Sequence, residues 1–178
     1  MATAAALGGL EIRAGEDGNI RLTGRFPFNA VAVLAPGRSE IFAPGSLEPR
    51  SNVFLLSQHR FETPLASTGA GTLDLRSDGE GLHFEARISP EVAETSHAKD
   101  ALALIRSGLV AGLSPGFKIV NGGERVERRD GGLLRTVTRA ELHELSVVTR
   151  PAFAEASVEA RGRPWAPTAP TNATYRWR

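Results

Sequence analysis

Cysteine is absent from this 178-residue chain, which also has only one methionine, one tyrosine and two tryptophans. Without a thiol the chain cannot form a disulfide, use a cysteine nucleophile or hold a metal through thiolates. The 21 basic and 20 acidic side chains nearly cancel, so no strong overall field attracts nucleic acid or membranes. No apolar run approaches the ~20 residues of a membrane span, and the opening MATAAALGGL lacks the basic start of a signal peptide. These absences predict a soluble, cytoplasmic protein.

Glycine and proline, by contrast, are plentiful. The chain has 19 glycines and 11 prolines, with 41% hydrophobic and 23% charged residues, which indicates many turns and short elements around one core. We therefore expect a single mainly β domain over residues 19–160, preceded by a flexible N-terminal segment at 1–18. Residues 161–178 are rich in Pro, Thr, Ala and Arg without an apolar period, which predicts a disordered tail.

Strand patterns dominate the first half of the chain. Short apolar or alternating runs bounded by Gly and Pro predict strands at Asn19–Phe28, Ala30–Ala35 and Val53–Ser57, the last two buried. The dipeptide at 78–79, Asp-Gly, favours a tight turn, so Thr72–Ile88 is predicted to form a hairpin.

One helix is predicted in the second half. Between Glu94 and Ser107 apolar residues recur at helical spacing, and Gly108 supplies a C-terminal stop. Phe117–Val120 and Leu133–Val148 then predict two or three further strands, separated by a polar loop.

A serine stands between two glycines in the segment GLSPGF. The pattern G-x-S-x-G occurs at the turn that exposes the nucleophile of α/β-hydrolases, where a strand precedes the serine, a helix follows it and a histidine comes later. Here a predicted helix precedes Ser114, a strand follows it, and no histidine lies beyond Glu144. This context excludes the hydrolase elbow, and with it a small esterase. Ser114 is then either a turn or capping residue or a nucleophile in another fold.

A serine nucleophile needs a base, and the side chains that suit neutral pH are four histidines. They are His59, His83, His97 and His143. His83 lies in an alternating strand pattern and His97 near a helix start, both ordinary positions for solvated polar residues. His59 directly follows a buried strand, which would place its imidazole at the end of a sheet. His143 lies inside a strand beside a carboxylate.

Five ordered segments between about Leu22 and Ser157 resemble the prohead maturation proteases of tailed bacteriophages, which are serine proteases similar to herpesvirus assemblin. The segments are EIFAPGSL, VFLLSQHRFETPLAST, DGEGLHFEARI, TSHAKDALALIRSGLVAGLSPGF and RAELHELSVVTRPAF. Their common order and spacing are more specific than any single motif. The resemblance implies a mainly β fold with a few helices, arranged as an assemblin-like antiparallel β-barrel.

The resemblance also implies site residues. His59 matches the family's histidine, Ser114 its serine and Glu144 its acidic residue. Arg60 stands where the family commonly has aspartate, and Ala66 where it commonly has glycine. In this triad the imidazole takes the serine proton and later passes it to the departing amine, while the carboxylate orients the ring and stabilises the imidazolium.

The third member of the triad is open between two neighbours. Herpesvirus relatives use a second histidine, which keeps His143 as the alternative to Glu144. Adjacent residues of a strand point to opposite faces, so only one of the two reaches His59. The sequence match and the stronger, charge-assisted hydrogen bond of a carboxylate favour Glu144.

By resemblance, the chain is a serine endopeptidase that cleaves capsid scaffold segments, a scaffolding protein and itself during head maturation. Its partners are then the major capsid protein and further copies of itself in a homo-oligomer, inside the immature capsid in the host cytoplasm. The alternative is an inactive assembly factor with the same fold that binds capsid or scaffold. The sequence has no HExxH, clustered metal ligands or phosphate-binding loop, so we predict no metal or cofactor and neither membrane nor nucleic acid as a partner.

Overall fold

A computed structural model describes the chain over residues 6–7, 10–15, 18–129, 131–151 and 153. In this part the chain forms thirteen strands and two short helices. The predicted tail at 161–178 lies outside it. The strands are β1 (Ala6–Leu7), β2 (Leu10–Ala14), β3 (Ile20–Pro27), β4 (Ala32–Ala35), β5 (Arg38–Phe42), β6 (Leu47–Ser57), β7 (Arg60–Ser67), β8 (Leu73–Ser77), β9 (Gly81–Ile88), β10 (Gly112–Ile119), β11 (Glu124–Arg129), β12 (Gly132–Val137) and β13 (Ala140–Val148). The helices are α1 (Pro90–Ala93) and α2 (Ser96–Arg106).

The described strands form three sheets. One is antiparallel and five-stranded, in the order β1-β2-β3-β9-β8. The other two, β10-β13-β6-β7 and β11-β12-β5-β4, each join two antiparallel pairs through a central parallel pair. The two parallel pairs continue one another, because Ala43 N–H donates to Val137 O and Ala140 N–H donates to Ser46 O. These described ladders do not close into a barrel, so the assemblin-like closure stays a prediction.

Four phenylalanines connect the three sheets at the centre of the core. Phe26 on β3, Phe42 on β5, Phe117 on β10 and Phe153 meet edge to face, with ring centroids 4.9 to 5.4 Å apart. Each such contact adds about 0.5–1.5 kcal/mol beyond the area it buries. The same core includes apolar residues of α2. The prediction of a single mainly β domain with few helices is therefore confirmed, while the boundaries at residues 18 and 160 stay predictions.

The hairpin and the helix were predictable from local pattern. The turn between β8 and β9 is closed by the Asp78 carboxylate, which accepts from the N–H groups of Glu80 and Gly81. These donors lower the pKa of Asp78. Helix α2 buries one apolar face. It ends just before Gly108, which adopts a φ of 74° and was the predicted C-terminal stop. No helix in the described ranges is long and apolar enough to cross a membrane.

Three strand predictions were wrong or incomplete. Ala30–Ala35 was expected to be a buried strand, but β4 is an exposed edge strand in which Val33 is 71% exposed. The polar loop predicted before Leu133 contains the strand β11, all of whose residues are exposed. Strand β5 lies between the predicted strands Ala30–Ala35 and Val53–Ser57, where no strand was predicted. Backbone pairing with neighbours forms these strands, and apolar periodicity does not report such pairing.

Candidate active site

His59 lies at the tip of the β6–β7 hairpin. Ser57 pairs with Arg60, so Gln58 and His59 are the two loop residues, and their φ values are 55° and 60°. Positive φ at both loop positions matches a type I′ turn, for which Asn and Gly are preferred. Other side chains are strained in this region by about 1–2 kcal/mol per residue. The chain therefore holds its proposed base in an unfavourable backbone conformation.

Hydrogen bonds to β13 hold this turn in place. Gln58 N–H donates to Val147 O at 3.0 Å, and His59 N–H donates to Ser146 Oγ at 3.0 Å. On the other side of the hairpin the Thr63 hydroxyl lies within hydrogen-bonding distance of the Ser57 carbonyl, at 3.0 Å. Because the backbone of the turn is bonded to the sheet, the imidazole is positioned by the fold and not by the side chain alone.

The His59 imidazole contacts a buried carboxylate. Its Nδ1 lies 2.7 Å from Oε1 of Glu144, whose side chain is 5% exposed, whereas that of His59 is 35% exposed. Oε2 of Glu144 accepts a hydrogen bond of 2.6 Å from Ser146 Oγ, and Ser146 is fully buried. An ionised carboxylate only accepts hydrogen bonds, so this contact places the imidazole proton on Nδ1. Nε2 is then the basic nitrogen of the neutral ring.

His143 lies in a bulge of β13. Gly116 of β10 pairs with Glu144, but the next residue, Phe117, pairs with Leu142, so His143 is left without an opposite residue. The register of β13 with β6 shifts at the same place. The bulge breaks the two-residue alternation of the strand, and the simple rule of alternating faces fails there.

The histidine ring at the bulge has other neighbours. His143 Nδ1 lies 3.4 Å from Arg50 Nη1, and its Nε2 lies 3.8 Å from Glu141 Oε2. Of the two candidates for the third position, it is therefore Glu144 that the structure brings to His59.

The remaining two histidines lie in other environments. His83 Nε2 is 2.8 Å from Asp78 Oδ2 at the β8–β9 turn of the five-stranded sheet. His97, at the start of α2, has its Nε2 3.0 Å from the carbonyl of Pro64 on β7. Neither contact involves Ser114 or Glu144.

Ser114 lies within strand β10 and not in a turn. In the β10–β13 ladder Ser114 is opposite Ser146, and Gly116 is opposite Glu144. Opposite residues of an antiparallel pair share a face, and so do residues two apart on one strand. The half-buried Ser114 therefore shares one face of the sheet with the carboxylate and the serine that contact His59.

Pro115 is tolerated in this strand because β10 is at the edge of its sheet. The Val147 carbonyl accepts from Gln58, so the backbone groups of Val147 face β6, and those of Leu145, two residues earlier, do the same. Pro115 is opposite Leu145 and therefore directs its missing N–H away from β13. The ladder loses no hydrogen bond at the proline.

The two glycines of G-x-S-x-G are explained by close packing. A Cβ on Gly112 would lie 2.5 Å from ring carbons of Pro151, and a Cβ on Gly116 would overlap Oε1 of Glu144. Neither glycine has a positive φ. The second glycine thus leaves the space that the carboxylate occupies beside His59.

The base and the candidate nucleophile are brought to one face without a direct bond. Among the described residues no hydrogen bond joins Ser114 Oγ to His59. In enzymes without substrate this contact is often long and tightens only in the complex. In the same part of the chain no group of three or more His, Asp or Glu side chains could hold a metal ion.

Two residues of the site were quoted in motifs but given no role from sequence. Ser146 bonds both the carboxylate and the histidine backbone, and Gly116 makes room for the carboxylate. Ser146 could have been found, because it lies two residues after Glu144 on the same strand and therefore on the same face.

Comparison with known proteins places the chain in a family. No curated protein and no solved structure matches it. A family model described as caudovirus prohead serine protease matches residues 9–170, which include His59, Ser114 and Glu144. This match confirms the resemblance carried by the five ordered segments. The chain therefore belongs to the caudovirus prohead serine protease family.

Proposed function

We propose that this protein is a capsid-maturation endopeptidase with Ser114 as nucleophile, His59 as general base and Glu144 as the group that orients the base. Family membership implies serine protease activity in general. The observation that carries the assignment is the 2.7 Å contact between the buried carboxylate and the imidazole, on the face that also bears the serine.

The geometry supports a conventional acyl-transfer sequence. With its Nδ1 proton held by Glu144, His59 accepts the Ser114 hydroxyl proton at Nε2 as the oxygen attacks a peptide carbonyl. The carboxylate stabilises the imidazolium that forms, and the imidazolium then protonates the departing amine. Water, activated by the same imidazole, hydrolyses the acyl-enzyme. Backbone N–H groups are needed to stabilise the oxyanion of each tetrahedral intermediate.

The substrates we propose are the scaffold segment of the major capsid protein, a separate scaffolding protein and the chain itself. The site of action is the interior of the immature capsid in the host cytoplasm. The family supports action on capsid or scaffold proteins within procapsids, and the finer choice is part of this proposal. An assemblin-like closure of the three sheets belongs to the same proposal.

Co-expression with the neighbouring capsid gene tests the function. Mass spectrometry of both products should show complete cleavage with the parent chain and only slow residual cleavage with Ser114→Ala or His59→Ala. Ser51→Ala is the matched control, because Ser51 is an exposed serine on β6 outside the site. The double variant Ser114→Ala/His59→Ala should be no slower than either single variant, since the two groups act as a unit.

Two outcomes would contradict the proposal. Cleavage at the parent rate by Ser114→Ala would remove the nucleophile assignment. A parent chain that co-purifies with the capsid protein but leaves both masses unchanged would instead support the non-cutting assembly factor.

A further inference from the structure

Strand β11 is a regular edge with no described partner on its outer side. All six of its residues are exposed, and within the described strands it pairs only with β12. The edge strands β10 and β7 each contain a proline and a register shift, and the edge strand β4 also contains a shift. These features block pairing with another chain, whereas an uninterrupted edge offers a template for an added strand.

One hydrogen bond shows which residues of β11 direct their backbone N–H and C=O groups outward. Leu133 N–H donates to the carbonyl of Gly37, next to β5, so the backbone groups of Leu133 face β5 and those of Leu134 face β11. Glu127 is opposite Leu134 and therefore bonds to β12. The alternate residues of β11 direct their N–H and C=O groups outward, and these residues are Glu124, Val126 and Arg128.

We propose that β11 pairs antiparallel with β11 of a second copy of this chain, about a twofold axis through Val126. In this register the outward-facing groups of one copy meet those of the other. Glu124 is opposite Arg128, Arg125 is opposite Glu127, and the two Val126 side chains are opposite each other. The twofold axis repeats each charge pair. Every charged side chain from 124 to 128 thus faces the opposite sign.

Charge complementarity selects this register over its neighbours. A twofold axis through Arg125 or through Glu127 would also bring outward-facing backbone groups together. Each of these registers, however, places two like charges directly opposite one another. Like charges at opposite positions destabilise a strand pair, and opposite charges stabilise it. The sequence of the edge is therefore complementary to itself in one register, which is the property an isologous interface requires.

The side chains at this edge remain available to a partner. Val126 is 57% exposed, so its pairing removes apolar surface from water. Glu124 is 42% exposed, and its Oε2 lies 3.7 Å from Arg135 Nη1, a loose contact that leaves the carboxylate open to a second cation. The edge belongs to a different sheet from His59, Ser114 and Glu144. The proposal therefore does not depend on proteolysis.

Cysteine cross-linking tests the register, because the chain has no cysteine of its own. In the proposed pair the two Val126 Cα atoms are about 5.5 Å apart, within the range that a disulfide spans. Under mild oxidation the full chain carrying Val126→Cys should form a disulfide-linked dimer about tenfold or more faster than one carrying Val33→Cys. Val33 is the matched control, since it is 71% exposed on the edge strand β4. Equal cross-linking rates would overturn the proposal.

Charge reversal tests the partner. By sedimentation equilibrium, Arg128→Glu should raise the dimer dissociation constant about tenfold, because it opposes like charges at two symmetric positions. The double reversal Glu124→Arg/Arg128→Glu should restore dimerisation, and Arg106→Glu on α2 should leave it unchanged. Dimerisation should weaken with salt. A chain that stays monomeric at all concentrations, or a dimer indifferent to Arg128→Glu, would refute the β11 pairing, and the cross-linking rates decide the matter if a charge variant fails to fold.

Discussion

The two four-stranded sheets have the same arrangement of strands, and each buries one carboxylate. The two carboxylates differ in their partners. Glu144 on β13 is 4% exposed and Glu40 on β5 is 3% exposed. Glu40 is paired with the guanidinium of Arg135, a group that stays charged and only donates. Glu144 is bonded by the hydroxyl of Ser146 and by the imidazole of His59. The same strand arrangement thus supports an ion pair in one sheet and, in the other, the contact to the candidate base.

Backbone regularity differs between the sheets in the same way. The sheet of Glu144 has register shifts in both of its antiparallel ladders, a proline at 115 and two positive-φ residues at the histidine turn. In the sheet of Glu40 the β11–β12 and β12–β5 ladders have no register shift. Bulges and strained residues are often found next to active sites, where they redirect side chains. The irregular sheet is the one that carries the candidate site.

The largest expected effect separates the two neighbours on β13. Glu144→Gln should lower the turnover of a scaffold peptide by about 10⁴-fold, because the amide no longer holds the imidazole in the required tautomer. His143→Gln should have a mild effect, since its ring faces Arg50 and Glu141. Rate measurements with the opposite ranking would assign the orienting role to His143 and remove the proposed contrast with Glu40.

The second effect tests the packing that distinguishes the site sheet. Gly116→Ala adds a Cβ that overlaps Oε1 of Glu144, so the carboxylate must move away from the histidine. Displacement of a catalytic group by about 1 Å costs roughly 10²-fold in rate. Gly79→Ala is the control, because nothing lies within 4 Å of its added Cβ and its φ is not positive. Equal turnover in the two variants would show that the glycine is not needed for the site.

The third effect concerns the ion pair of Glu40. Glu40→Gln should change the free energy of unfolding by about 1 kcal/mol, because it alters the contact with Arg135, and should leave turnover unchanged, because both residues lie in a sheet that does not carry the candidate site. Burial raises the pKa of Glu40 above its ordinary value of 4.5, against the lowering effect of Arg135. A raised pKa means that the folded state binds the proton more tightly, so this group's contribution to stability falls as pH rises from 4.5 through the folded pKa.

Denaturant titrations at several pH values test whether the contribution of Glu40 to stability falls as pH rises. The variant cannot titrate at position 40, so the unfolding free energy of the parent minus that of Glu40→Gln should fall as pH rises. A difference that rises with pH would mean that Arg135 outweighs burial. A loss of turnover would link the two sheets functionally.

The smallest effect tests the strain at the histidine turn. Gln58→Asn should raise the free energy of unfolding by about 0.5 kcal/mol, because Asn tolerates positive φ better than Gln. Gln58→Ala is the matched control, since it removes the same amide but keeps the unfavourable backbone conformation. If both variants are equally stable in thermal or denaturant unfolding, the turn is not strained at this residue.

Local features that the sequence states directly were predictable. The hairpin around Asp78 and the helix before Gly108 depend on turn chemistry and apolar spacing within one segment. The strand at Ser114 was not predictable, because Pro115 and two glycines indicate a turn unless one knows that β10 is an edge and that Glu144 fills the space beside it. Strand β11 has almost no apolar residues, so only its pairing reveals it.

The candidate site shows a similar division. The order of the five segments identified His59, Ser114 and Glu144 through resemblance. Periodicity could not choose between Glu144 and His143, since a bulge at His143 breaks the alternation on which that choice depends. The bulge depends on how β13 pairs with β10 and β6, so the sequence of β13 alone does not reveal it.

The contact between Gly116 and Glu144 also bears on how this gene can diverge. A side chain at position 116 would overlap the carboxylate at position 144, so in the proposed enzyme the two codons are under joint selection. A descendant that kept the fold for assembly alone would be released from that restriction. Alanine or serine at position 116 of a related phage protein would then indicate that proteolysis has been lost.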